Sequence, residues 1–242
     1  MGGLVSSEAK RRAGVLTPLQ RHVAEIVAST AEQSAFALAG GAALIARGEV
    51  ARATRDLDFF SPNPSEVSLI VPHVEQALRA EGVDVLRIVD HPTFVRLEVT
   101  NGTEITEVDF GTDARILPVE RSPLGPTVAG EELAIDKVLA VFGRAEPRDF
   151  VDLAAIADRY GLEDLCAKAT RKDAGFDPQV FNKMLDRFAR LPRDEFDLPD
   201  QAYERLKGTV SKWRTLTNGL TRDALDRRSE QLDKGDDLGL EI

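Results

Sequence analysis

The hydrophobic period of this chain changes near residue 130, and that change constrains the fold more than any single residue does. Before it, short alternating apolar runs are interleaved with helical stretches; after it, almost every stretch has helical period. Alternation marks a strand with one buried face, and a period near 3.6 marks a helix with one buried stripe. The expected fold class is therefore α+β: a mixed α/β N-terminal core with an antiparallel hairpin, then a helical C-terminal half. The corresponding domains are a core over 17–125 and a helical domain over 126–234.

Local signals place the elements. Thr17, Pro18 and Gln20 form a capping-box start for a helix running to about Gln33. Phe36 to Ala39 reads as a strand ending at Gly40 and Gly41, followed by a small-residue helical turn, Ala42 to Arg47. A strand from Asp56 to Phe60 is stopped by Ser61, Pro62, Asn63 and Pro64, and Ser65 to Ala80 is helical in period. Runs around Val85 to Val89, Phe94 to Val99 and Glu104 to Phe110 alternate, with Asn101 and Gly102 as the hairpin turn between the last two. A Pro- and Gly-containing linker is expected over 118–130. Helices are then expected at Glu131 to Arg144, Asp149 to Tyr160, Leu162 to Lys172, Asp177 to Arg190, Pro199 to Leu216 and Thr221 to Leu232. Lys234 to Ile242 are expected to be frayed.

Composition excludes several classes of function. At 242 residues the chain can bury a core without covalent staples, and its single cysteine, Cys166, lies in an apolar helical pattern. With three histidines and no second cysteine, there is no disulfide framework and little material for a zinc or thiol centre. Residues 1–16 lack the apolar run of a signal peptide, and no stretch reaches the about 18 apolar residues of a membrane span, so a cytoplasmic protein with no membrane contact is expected. The net charge of -10 opposes a generalised nucleic-acid coat. An RNA partner must meet a local basic patch, for which Lys168, Arg171 and Lys172, and then Lys183, Arg187, Arg190 and Arg193, are the candidates; a solvated helix face is the alternative.

The chemistry concentrates in Thr54, Arg55, Asp56, Leu57, Asp58, Phe59 and Phe60, where period 2 puts both carboxylates on one strand face. Adjacent carboxylates repel unless a divalent cation lies between them, and Mg²⁺ takes carboxylates together with substrate phosphates. Gly40 and Gly41 precede them, and glycines let the backbone approach a phosphate. Asp109 lies between apolar neighbours on the returning hairpin strand, where an ionised group must be paired or metal-bound; Glu107 shares its face as a substitute or a surface charge. Lys137, flanked by Leu133 and Val141 on an apolar helical face, either snorkels to solvent or meets an anion. Asp149 and Asp152 lie three apart, and either could be an N-terminal charge or a site residue. Arg52 and Arg55 flank the carboxylate pair as phosphate contacts or plain ion-pair partners.

The order of these motifs over residues 35–160 resembles the AbiEii-type nucleotidyltransferase toxins, relatives of the polymerase-beta nucleotidyltransferase superfamily found in bacterial toxin–antitoxin pairs. The resemblance implies that Gly40 and Gly41 open the triphosphate site, with Asp56 and Asp58 as catalytic metal ligands and Asp109 as third carboxylate. It further implies that Lys137 is the motif-three lysine and Asp152, chosen over Asp149, the motif-four aspartate. Gly-Gly-Ala-Ala stands here where the wider superfamily has Gly-Ser, so backbone N–H groups must replace a hydroxyl contact to phosphate. The implied activity is Mg²⁺-dependent transfer from an NTP to RNA, in particular the 3' end of tRNA, with a cognate antitoxin as partner. AMP transfer to a protein or small molecule, or an inactive NTP-binding protein, are the alternatives.

Overall fold

The computed structural model describes residues 16–237, so the basic residues before Leu16 and the end of the expected frayed tail, 238–242, lie outside the described residues. The chain divides into two compact units after Leu133.

The first unit opens with α1 (Pro18–Thr30). Thr17 Oγ1 accepts from the Gln20 backbone N–H while the Gln20 side chain accepts from the Thr17 N–H, the reciprocal bonds expected of the capping box. Next come β1 (Ala37–Ala39), α2 (Gly40–Ala46), β2 (Asp56–Ser61) and α3 (Ser65–Ala80), then β3 (Asp84–His91), β4 (Phe94–Thr100) and β5 (Ile105–Thr112). With β6 (Glu120–Ser122) and β7 (Gly125–Thr127), these strands form a seven-stranded mixed sheet among the described residues, ordered β3-β4-β5-β2-β1-β7-β6. β4 and β5 form the expected antiparallel hairpin about the Asn101 turn, whereas β2 pairs parallel with β5.

One face of the sheet is apolar and covered. Val67, Val71, Val74 and Leu78 recur at helical spacing on α3 and are fully buried, as are Val23 and Ala24 on α1. The strands answer with Leu57, Phe59, Leu97, Val108 and Phe110. Phe110 stacks on Phe59 and meets Phe36 edge-on, with ring centroids 5.6 Å apart in both pairs. By alternation the opposite face carries Asp56, Asp58, Arg96 and Glu107.

The expected linker over 118–130 is corrected: it contains β6 and β7, and β7 lies parallel to β1 with Leu38 opposite Thr127. Val128 N–H donates to the Leu38 carbonyl at 2.9 Å, extending the pairing. These strands span three residues each and include Pro126, so they carry none of the alternation by which a strand is read from sequence.

The second unit is helical. It takes up α4 (Gly130–Gly143), within which the division falls, then α5 (Pro147–Tyr160), α6 (Leu162–Lys172), α7 (Pro178–Leu185), α8 (Asp200–Thr217) and α9 (Arg222–Asp237). The helix expected over Asp177 to Arg190 is also corrected: the α-helix ends at Leu185 and tightens to 3-10 geometry over Asp186–Arg190. The tighter turn seats Phe188 against Phe150, Phe196 and Tyr203, and Pro192 follows where no helix can continue.

Candidate active site

A polar row crosses the open face of the first unit. Arg96 of β4 pairs with Asp109 of β5, Asp109 with Asp58 of β2, and Asp58 with Ala39 of β1. The next row runs Glu98, Glu107, Asp56. The start of β2 is pinned from below: Gln20 Nε2 donates to the Thr54 carbonyl at 3.0 Å, and Thr106 Oγ1 donates to the Arg55 carbonyl at 3.0 Å. Thr54 Oγ1 donates to Asp56 Oδ1 at 2.6 Å and so fixes that carboxylate.

The glycine pair closes on this row, and the two glycines are not equivalent. A Cβ on Gly40 would stand 1.9 Å from Asp58 Oδ2, and Gly40 has φ +60, so the position excludes a side chain twice over. A Cβ on Gly41 would meet Arg52 Nη2 at 2.6 Å, the far end of a side chain that can swing away. Arg52 Nη1 donates to the Ala53 carbonyl at 2.9 Å, and Arg55 is exposed.

Asp109 takes part in a different way from Asp56 and Asp58. Arg96 grips it in bidentate fashion, Nε to Oδ1 at 2.7 Å and Nη2 to Oδ2 at 2.6 Å, and its side chain is 8% exposed. Arg96 Nη1 also lies 3.5 Å from Glu107 Oε2. The hydrogen bond to Asp109 above all, with the charges of Asp109, Glu107 and Asp56, holds the guanidinium pKa above its ordinary value despite desolvation. Sequence reading missed Arg96. A hairpin closed symmetrically over residues 101–104 sets Arg96 opposite Asp109, and that register was the available signal.

Hard oxygen donors at i and i+2 suit Mg²⁺, and Asp56 and Asp58 are the residues that would hold such an ion. Among the described residues no three His, Cys, Asp or Glu side chains converge to hold a metal; Asp109 sits in register with Asp58 but turns to Arg96.

The second unit has its own buried charge cluster. Lys137 Nζ lies 2.9 Å from Asp152 Oδ2 and 3.6 Å from Asp149 Oδ1, and both aspartates are fully buried. Of the two readings of Lys137, an anion contact is what it makes here, with carboxylates of its own chain. Arg144 donates twice to Asp149 at 2.9 Å, and Asp149 also accepts from the Glu146 N–H as part of the α5 capping box. Asp149 thus serves as a helix-start residue, while Asp152 faces the lysine.

The basic residues are split in the same manner. Lys172 pairs with Asp136, Arg171 pairs with Asp233 at 2.6 Å, and Arg193 pairs with Asp200 while lying over the Tyr203 ring. Lys183, Arg187 and Arg190 are exposed. Cys166 is buried, and burial pushes its thiol pKa up, which leaves it inert.

A carboxylate pair thus lies on one face of a mixed sheet with a glycine turn closed on it, and the class of the protein is that of a nucleotidyltransferase, which its family shows. The chain belongs to the nucleotidyl transferase AbiEii toxin family of type IV toxin–antitoxin systems, whose model matches residues 24–231. It is similar in fold to MenT4, the nucleotidyltransferase toxin Rv2826c from Mycobacterium tuberculosis H37Rv, at TM-score 0.62 and 22% identity over 96% of each chain. It is also similar to JHP933 from Helicobacter pylori, at TM-score 0.53 and 17% identity over 93% of this chain and 100% of that one. No curated protein matches the chain. No helix among the described residues is long and apolar enough to cross a membrane.

Proposed function

We propose that this toxin is a Mg²⁺-dependent nucleotidyltransferase that adds a nucleotide from an NTP to an RNA acceptor, the 3' end of tRNA, and so blocks translation and growth until a cognate antitoxin restrains it. One observation carries the reading: Asp56 and Asp58 share a face, and Gly40 approaches Asp58 so closely that no side chain fits between them. Gly40 thereby brings a backbone free of any side chain against the proposed metal-binding pair.

Mg²⁺, when bound, neutralises phosphate charge and polarises the phosphoryl group under attack. The acceptor hydroxyl oxygen forms a bond to the α-phosphorus, the bond to the β-phosphate oxygen breaks, pyrophosphate leaves with the electron pair, and the hydroxyl proton passes to water. Thr54 keeps Asp56 oriented for metal binding, and Gly40 and Gly41 offer backbone N–H groups to phosphate. Arg52 and Arg55 supply positive charge at the same end of β2. Lys137, held by Asp152, is also required for transfer.

The test is incubation of total RNA with the protein, Mg²⁺ and each labelled NTP in turn. One class of small RNA should take up label, and folded Asp56→Asn and Asp58→Asn variants should transfer none. Label appearing in protein or a small molecule, or undiminished labelling by both variants, would sink the reading.

A further inference from the structure

Arg96 lies at the end of the polar row, on the far side of Asp109 from Asp58. It uses Nε and Nη2 on the two oxygens of Asp109 and turns Nη1 towards Glu107. A guanidinium cannot be deprotonated in a protein, so this positive charge is permanent. The pair is also sheltered: the Asp109 side chain is 8% exposed and Arg96 is 35% exposed. A divalent cation bound to Asp109 would have to sit against that guanidinium or displace it, and displacement would cost a bidentate, charge-assisted contact. Thr54 Oγ1 donates to Asp56 Oδ1 at 2.6 Å, a neutral contact that orients an oxygen without competing for a cation.

We infer that Arg96 is a built-in cation that withdraws Asp109 from metal binding, so that the carboxylate row takes one divalent ion, on Asp56 and Asp58. Arg96 is then a positioning residue, and Asp109 is its anchor. The inference rests on the reading of Asp56 and Asp58 as metal ligands.

Titration with Mn²⁺ alone, followed by loss of the free-ion electron paramagnetic resonance signal, counts the ions directly and needs no turnover. The parent should bind one Mn²⁺ per chain. Arg96→Met should gain a second ion because Asp109 is released, Arg96→Lys should stay at one because the charge remains, and Arg96→Met with Asp109→Asn should return to one. A purely structural role for Arg96 would not produce a gain of metal. Two ions bound by the parent, or one by a folded Arg96→Met, overturns the inference. If Arg96→Met does not fold, Asp109→Asn decides: its Mn²⁺ affinity should stay near that of the parent, and a drop of about tenfold or more would make Asp109 a ligand and end the proposal. No ion bound by the parent, with Asp58→Asn indistinguishable from it, would instead remove the metal reading of Asp56 and Asp58 beneath it.

Discussion

Single side chains in this protein differ sharply in what they tolerate, and Gly40 and Gly41 show how little of that difference neighbouring positions share. Gly40→Ala forces a methyl group onto Asp58 and places alanine at φ +60, a conformation that alone costs about 1–2 kcal/mol. Transfer should be lost even where the chain folds, whereas Gly41→Ala, which meets the far end of the Arg52 side chain, should keep most activity. Initial rates of the two purified variants check this. Lys137 is the second sensitive residue. Its side chain is 8% exposed, and Lys137→Met removes the ammonium 2.9 Å from the fully buried Asp152 carboxylate, which should cost about 3–5 kcal/mol in urea unfolding. Replacing Asp152 as well, in Lys137→Met with Asp152→Leu, should recover most of that stability. Transfer by the recovered double variant would limit the pair to a structural role.

At the scale of elements, the sequence reveals those with a long period and hides those without one. The helix α3 and the hairpin of β4 and β5 were legible because apolar residues recur over several turns or pleats. The short strands β6 and β7 were not, because three residues carry no period and the pairing of β7 with β1 is made across the chain. Their fit is nonetheless close. Gly125 has φ +97, and a Cβ there would lie 2.5 Å from the Cβ of Ala28 on α1. Gly125→Ala should therefore destabilise the chain by about 2 kcal/mol or more, from backbone strain with overpacking. A lowered urea midpoint with activity per folded molecule retained is the expected result; an unchanged midpoint would mean that the β6–β7 hairpin is dispensable to the sheet. The 3-10 turn after α7 was hidden for a similar reason, since the aromatic cluster around Phe188 becomes visible only in three dimensions.

For the molecule as a whole, charge is the controlling quantity. A chain of net charge -10 repels polyanions, so the proposed RNA acceptor must be held by a confined basic surface. Ion pairing has narrowed the choice, because Arg171, Lys172 and Arg193 are engaged with Asp233, Asp136 and Asp200. Lys183, Arg187 and Arg190 are exposed, and the 3-10 turn sets Arg187 and Arg190 at the i and i+3 spacing that eclipses side chains. Reversing Lys183, Arg187 and Arg190 to Glu should weaken RNA binding for every sequence and flatten the slope of log affinity against log salt by about 2, with NTP affinity little changed. An unaltered salt titration would exclude this surface.

The sequence by itself determined the local periods, the caps, the hairpin turn and the placing of Asp56 and Asp58 on one face, because each follows from neighbours a few residues apart. It also carried the family resemblance, through motifs whose order survives without any coordinates. Tertiary structure decided what each charge does. That Asp109 turns to Arg96, that Asp149 caps a helix while Asp152 holds Lys137, and that Lys172 is spent on Asp136 all depend on partners brought near by folding. A carboxylate or an ammonium group has the same composition wherever it occurs, and only the distance to an opposite charge, in a medium that excludes water, settles whether it binds a ligand or its own chain.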